Sequence, residues 1–250
     1  MKEEIIEHIK QLEVTKNIEI LLAVESGSRA WGCPSPDSDY DIRIIYKRSR
    51  SEYLEIDDKP DSIDYFHGAL LDINGWDIKK VLKLIRKSNA TPFEWAQSPI
   101  VYKERDGFKD KILDLCTYYF QARHTVNHYK GIAKNSMNSL LKDEIKLKKL
   151  FYVLRPLMAA HWIIERNEIP PMDIPSLLNI ITDKSVTNHI QQLLKIKDSA
   201  NEDYVHKVEP IITDYISNQF EMIHSTQVEE HSDPPNSDRL NELFKELIEN

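Results

Sequence analysis

Glycine and cysteine are both scarce in this 250-residue chain, with 6 Gly and 2 Cys beside 12 Pro. So little glycine excludes a collagen-like or low-complexity chain. Two cysteines, Cys33 and Cys116, cannot build a disulfide framework, so nothing in the sequence demands an oxidising compartment. No apolar run approaches the roughly 20 residues needed to cross a bilayer. The N-terminus lacks the apolar core of a signal peptide, and a soluble, cytoplasmic protein without a membrane partner is the expectation. A basic excess is missing too: 33 Lys+Arg against 41 Asp+Glu give a formal charge of −8. That balance excludes a histone-like coat for nucleic acid while leaving room for one local basic patch. No Walker loop, dinucleotide fingerprint or Ser-His-Asp elbow is present, and the 9 histidines form no zinc-type cluster with cysteine.

What is present is an ordinary globular composition, 41% hydrophobic and 30% charged, enough for one large domain or two small ones. Residues 2–16 place Ile5, Ile6, Ile9 and Leu12 on one face, which predicts a helix. The run 18–24 reads as a buried strand. Residues 39–46 alternate as a second strand, with Asp39, Asp41 and Arg43 facing one way and Tyr40, Ile42, Ile44 and Tyr46 the other. A hairpin is expected over 63–66 and 69–73 with its reversal at His67-Gly68, then a helix over 76–88 capped by Asn74. A turn of helix at 93–96 and a strand at 100–102 follow. Beyond Gly107 strand signals vanish, and helical patterns run over 108–139, 142–166, 186–197 and 203–227. Asp233-Pro-Pro-Asn236 reads as a flexible linker into a terminal amphipathic helix at 238–249, whose apolar face could dock on its own chain or on a partner. The fold class expected is α+β: a small mixed sheet with helices over 1–105, an all-helical domain over 106–232, and linker plus terminal helix over 233–250.

The stretch that carries chemistry is ESGSRAWGCPSPDSDYDIR, residues 25–43. Two carboxylates at i and i+2 on a strand stand about 6–7 Å apart, close enough to share cations. Clustered without a cation they repel, so such a pair suits Mg²⁺ or Mn²⁺, which take oxygen ligands. The other reading of Asp-x-Asp is a solvated strand edge. Gly27 and Ser28, just upstream, offer backbone amides to a phosphate.

Gly27-Ser28 followed by Asp39-Tyr40-Asp41 resembles the signature of the DNA polymerase β nucleotidyltransferase superfamily, and the longer string resembles its YcgL/RlaP-type branch, linked to RNA-repair ligases. Further matching segments are Leu71-Asp-Ile-Asn-Gly-Trp-Asp77, Ser88-Asn89 to Glu94-Trp95-Ala-Gln-Ser98-Pro99, Lys148-Lys149-Leu-Phe151-Tyr152-Val-Leu-Arg155-Pro156, His128-Tyr129 and Pro170-Pro171-Met172, so the likeness spans roughly 18–180. It implies an enzyme moving a nucleoside monophosphate from an NTP such as ATP to a hydroxyl, with an RNA end as the acceptor and Mg²⁺ or Mn²⁺ as cofactor. Asp39 and Asp41 would hold both ions, and a third carboxylate the ion that activates the hydroxyl. Asp72 is the choice for that third ligand and Asp64 the runner-up, with Asp77 assigned to a helix start. Ser28 would hold the β/γ-phosphates; Arg29 either assists or is a surface charge.

In the helical part, Lys148, Tyr152 and Arg155 recur at i, i+4 and i+7, with Lys149 and Phe151 close by. That face suits a nucleotide's phosphates and stacked base, or else a helix with aromatics in the core and cations in water. Arg123 and His128 match the Arg-x4-His spacing of HEPN-type ribonucleases, a third possible activity. A nucleotidylated protein or small molecule, or a silent nucleotide-binding module, are the remaining alternatives.

Overall fold

The computed structural model describes residues 1–67, 70–137, 144–229 and 235–249. They form two compact units that interleave along the chain: Met1–Ala30, Asp39–Tyr119 and Pro234–Asn250 in the first, Trp31–Ser38 and Phe120–Asp233 in the second. The expected consecutive division is therefore replaced by discontinuous units.

In the first unit, α1 (Lys2–Lys16) buries Ile5, Ile9 and Leu12 and ends at Asn17, whose left-handed backbone suits asparagine. β1 (Glu19–Glu25) is buried almost throughout, as its unbroken apolar run requires of a central strand. It is followed by a short helix, α2 (Gly27–Ala30). β2 (Tyr40–Lys47) follows, then α3 (Arg50–Tyr53), β3 (Ser62–His67), β4 (Leu71–Asp77), α4 (Ile78–Arg86), α5 (Ala90–Gln97), β5 (Val101–Glu104) and α6 (Phe108–Tyr118). The sheet order is β3-β4-β2-β1-β5, with β2 parallel to β4 and the other neighbours antiparallel. Ile5, Ile9 and Leu12 of α1 join Ile42, Ile44 and Tyr46 of β2 and Ile73 of β4 in one core cluster. This is the apolar face read from the alternation in β2.

One expectation is corrected here. Asn74 is not a helix cap but lies inside β4, opposite Arg43 and Asp64. The strand runs on to Asp77, whose carboxylate caps α4 by accepting from the Lys79 N–H at 2.8 Å. The β3–β4 hairpin forms, but Gly68 of its expected reversal lies outside the described residues. The terminal helix α12 (Asp238–Glu249) docks on its own chain: Leu240, Leu243 and Leu247 are buried, and Lys47 Nζ donates to the Leu247 carbonyl at 2.7 Å. Part of the linker before it, at Asp233 and Pro234, is outside the described residues.

The second unit is built on α7 (Ala122–Met137) packed against α8 (Leu147–Arg166), with α9 (Ile174–Leu177), α10 (Lys184–Ser199) and α11 (Pro210–Ser225) around them. It is not all helical. β6 (Glu144–Lys146) pairs antiparallel with β7 (Val205–Lys207), a correction to the reading that strands cease after Gly107.

The segment Trp31–Ser38 is tied into this unit at several points. The Ile174 N–H donates to the Trp31 carbonyl at 2.9 Å. Lys197 Nζ donates to Ser35 Oγ at 3.0 Å, and the Glu202 N–H donates to Asp37 Oδ1 at 2.9 Å. Ser38 Oγ donates to Glu202 Oε1 at 2.8 Å. Among the described residues no helix is long and apolar enough to cross a membrane.

Candidate active site

The end of β1 and the start of β2 set the geometry. Glu25, the last residue of β1, is fully buried and accepts the Asp41 N–H on Oε1 at 2.8 Å. Its Oε2 accepts the Tyr102 hydroxyl at 2.5 Å. Burial pushes the Glu25 carboxyl above the usual carboxylate range, while the hydrogen bonds from Tyr102 and the Asp41 N–H pull it back only in part. The Ser26 N–H then donates to the Asp41 carbonyl at 2.8 Å, so the backbone of Asp41 is held from both sides.

Gly27 follows with φ +58°, and a Cβ there would lie 2.0 Å from Asp41 Oδ2. Only glycine meets both the left-handed backbone and this contact. The carboxylate of Asp41 therefore rests directly on the turn that opens α2.

Asp41 stands opposite Asp72 in the parallel β2–β4 register. One guanidinium joins them: Arg43 Nη2 lies 2.9 Å from Asp41 Oδ1 and Nη1 lies 3.0 Å from Asp72 Oδ2. Burial raises the Asp41 pKa, Arg43 lowers it, and the neighbouring charges of Asp72 and Asp39 raise it further. Asp39 sits exposed just before β2. Asp64, on β3, accepts a hydrogen bond from the Asn74 side chain and lies across β4 from Arg43, one strand further out than Asp72.

Asp41 and Asp72 thus converge on a single positive charge, with oxygen donors of the kind a hard divalent cation takes. As a pair they fit such an ion. Among the described residues, however, no group of three or more His, Cys, Asp or Glu side chains is gathered closely enough to hold a metal, so Asp39 is near but not drawn in.

Ser28 is half-buried in α2. Arg29 Nε donates to the Asp39 carbonyl at 3.1 Å, and its guanidinium stacks 3.8 Å from the centre of the Tyr40 ring.

The remaining expected residues belong to the second unit. Lys148, Lys149 and Tyr152 line a groove of about 370 Å³ with Asn135 and Ser136. Lys148 Nζ pairs with Glu202 Oε2 at 2.6 Å. Arg155 is not in that groove: it is buried, its Nε donating to the Met172 carbonyl at 3.0 Å and its guanidinium lying 4.5 Å from the Trp31 ring centre. Arg123 and His128 lie five residues apart on α7, roughly 140° around the helix at 100° per residue, so they do not share a face.

Sequence reasoning gave no role to three residues that hold this site: Glu25, Arg43 and Tyr102. Arg43 was visible on the carboxylate face of β2, two residues past Asp41. Glu25 was legible as a charge closing an apolar strand. Tyr102 carried no signal.

The mixed five-stranded sheet with its helices is of the α+β class expected of a polymerase-β-type nucleotidyltransferase domain, with facing carboxylates on the parallel β2–β4 pair and a glycine turn against one of them. The chain belongs to the RNA repair pathway DNA polymerase beta family (RlaP), whose model matches residues 1–246. It is similar to the uncharacterized protein YcgL of Bacillus subtilis (strain 168), with 36% identity over 252 residues covering 100% of this chain and 97% of that protein. A nucleotidyltransferase-like protein from Exiguobacterium sibiricum 255-15 aligns in structure over 97% of this chain and 80% of its own, with 7% identity and a TM-score of 0.34.

Proposed function

We propose that the protein transfers a nucleoside monophosphate from an NTP to a hydroxyl at an RNA end, in the cytoplasm. The observation that carries this reading is the facing of Asp41 and Asp72 across parallel strands, beside Gly27, in a chain whose family is named for RNA repair. Asp39, Asp41 and Asp72 would hold Mg²⁺ or Mn²⁺, which supplies charge neutralisation on the triphosphate and acidifies the acceptor hydroxyl.

The chain's own residues do the rest. Glu25 fixes the Asp41 backbone through the 2.8 Å hydrogen bond, so the carboxylate meets its ligand pre-oriented. Arg43 offsets the repulsion between Asp41 and Asp72, the pair that would hold the ion. Gly27 and Ser28 present backbone amides, and Ser28 its hydroxyl, to the β/γ-phosphates, with Arg29 alongside. Taken by itself, the groove of the second unit lined by Lys148, Lys149 and Tyr152 offers cations and an aromatic face of the kind a nucleotide takes, and Arg155 packs on Trp31. In the reaction the acceptor oxygen bonds to the α-phosphorus, the bond from that phosphorus to the β-phosphate oxygen breaks, and pyrophosphate leaves as the hydroxyl proton passes to solvent.

The test is incubation with each α-labelled NTP, Mg²⁺ or Mn²⁺ and total cellular RNA, resolved on a denaturing gel beside Asp39→Asn and Asp41→Asn. Label on RNA that is lost in both variants is the expected result. Label on protein would move the acceptor, and transfer undiminished in the variants would refute the assignment of the carboxylates. Metal-independent RNA shortening, lost in His128→Ala, would point instead to the ribonuclease.

A further inference from the structure

The chain carries a net charge of −8, yet its charges are not evenly spread. α7 reads ARHTVNHYKGIAKNSM and contains no acidic residue. α8 reads LKKLFYVLRPLMAAHWIIER, and its first acid is Glu165 in the last turn. On α7, Arg123, Asn127, Lys130 and Lys134 follow one another at i, i+4, i+7 and i+11. At 100° per residue they fall within about 60° of one another, a single stripe roughly 16 Å long at 1.5 Å rise per residue.

Some exposed cations elsewhere find acidic partners, among them Lys59 with Glu55, Lys80 with Asp61, Lys111 with Glu246 and Arg239 with Asp114, while others, such as Lys10 and Lys87, stand singly. What sets the stripe apart is its alignment along one helix face without an acid. Among the described residues, no hydrogen bond or ion pair involves the side chains of Arg123, Asn127, Lys130 or Lys134. Arg123, Asn127 and Lys130 line a groove of about 420 Å³ whose opposite wall is Thr226, Gln227 and Val228, all uncharged. A concave surface with two unsatisfied cations, an amide and a neutral far wall, its line continued along the helix by Lys134, is shaped for an extended anion.

From this we infer that the α7 stripe is a docking track for the phosphodiester backbone of single-stranded RNA. Evenly spaced Arg and Lys along one helix face meet successive phosphates, which carry affinity and register but not sequence. Arg123 can engage a phosphate bidentately, whereas Lys130 and Lys134 act as point charges. The inference rests on the proposed function for the identity of the polyanion as the acceptor RNA.

The experiment measures binding of a labelled single-stranded RNA to the full chain by fluorescence anisotropy, without NTP or added metal, at several salt concentrations. With about 0.7 counterion released per neutralised phosphate of a single strand, three cations give a log–log salt slope near −2, or about a twentyfold loss of affinity between 50 and 200 mM salt. The triple variant Arg123→Gln, Lys130→Gln, Lys134→Gln is expected to bring that slope close to zero. Each single change should lower it by about 0.7 with far-ultraviolet circular dichroism unchanged. Slopes unchanged in the single variants would overturn the inference, as would tighter binding of poly-glutamate than of RNA. RNA held on the stripe but never labelled in the transfer assay would leave the track standing and sink the transferase reading. Transfer to RNA undiminished in the triple variant would do the reverse.

Discussion

Replacing Gly27 by alanine should separate a backbone effect from a contact effect. At φ +58° an L-residue pays about 1–2 kcal/mol for the left-handed conformation. The new methyl carbon would also fall 2.0 Å from Asp41 Oδ2, so the carboxylate has to swing away and surrender its 2.9 Å contact with Arg43. Loss of that partly buried ion pair adds about 1 kcal/mol, for a total near 2–3 kcal/mol. Urea denaturation of Gly27→Ala, Asp41→Ala and the double variant closes the cycle. With the Asp41 side chain absent, Gly27→Ala should cost only the backbone part, giving a coupling energy of about 1 kcal/mol. Equal costs of Gly27→Ala in the two backgrounds would refute the claim that Asp41 rests on the glycine.

Two further expectations follow from the ion pairs. Arg43→Gln leaves Asp41 and Asp72 facing each other uncompensated and should lower stability by about 1–3 kcal/mol, and millimolar Mg²⁺ should raise the melting temperature of this variant more than that of the native chain; equal metal-induced shifts would count against a shared cation position. At Glu202, burial alone would raise the carboxyl, but the hydrogen bonds from Lys148 and Ser38 outweigh it and hold the group below its ordinary 4.5. A depressed folded-state pKa contributes stability that is present above the unfolded value and is lost as pH falls through the folded one. Glu202→Gln should therefore cost about 1–2 kcal/mol at pH 7 and progressively less below pH 4.5, read by denaturation at a series of pH values.

The helices α1 and α12 were legible to the residue because their apolar stripes are local and each is bounded by polar ends. β2 was legible for the same reason, its alternation separating Ile42, Ile44 and Tyr46 from Asp41 and Arg43. Asn74 and Asp77 are both good capping residues three positions apart, and nothing local chooses between them. The choice is made by pairing on both sides, Tyr46 with Asp77 and Ser62 with Trp76, which carries the strand past Gly75. β6 and β7 are three residues each and nearly sixty positions apart, too short for periodicity to register. The site divides in the same way. Spacing exposed Asp39 and Asp41, whereas the facing of Asp41 and Asp72 depends on a parallel pairing between strands that are not consecutive. Tyr102 reaches Glu25 only through the folding of β5 beside β1.

Eight residues, Trp31–Ser38, leave one unit for the other between the glycine turn and the aspartate strand. Excising the helical half at Tyr119 would strip Ser35, Asp37 and Ser38 of Lys197 and Glu202, and Trp31 of Ile174, leaving the loop that joins Gly27 to Asp39 without its anchors. It would also remove α12, which returns from the far end of the chain to cover the first unit. The two halves are consequently not interchangeable modules: a lineage could not trade the helical part for another by joining genes at one point, since the chain is threaded through both like a stitch.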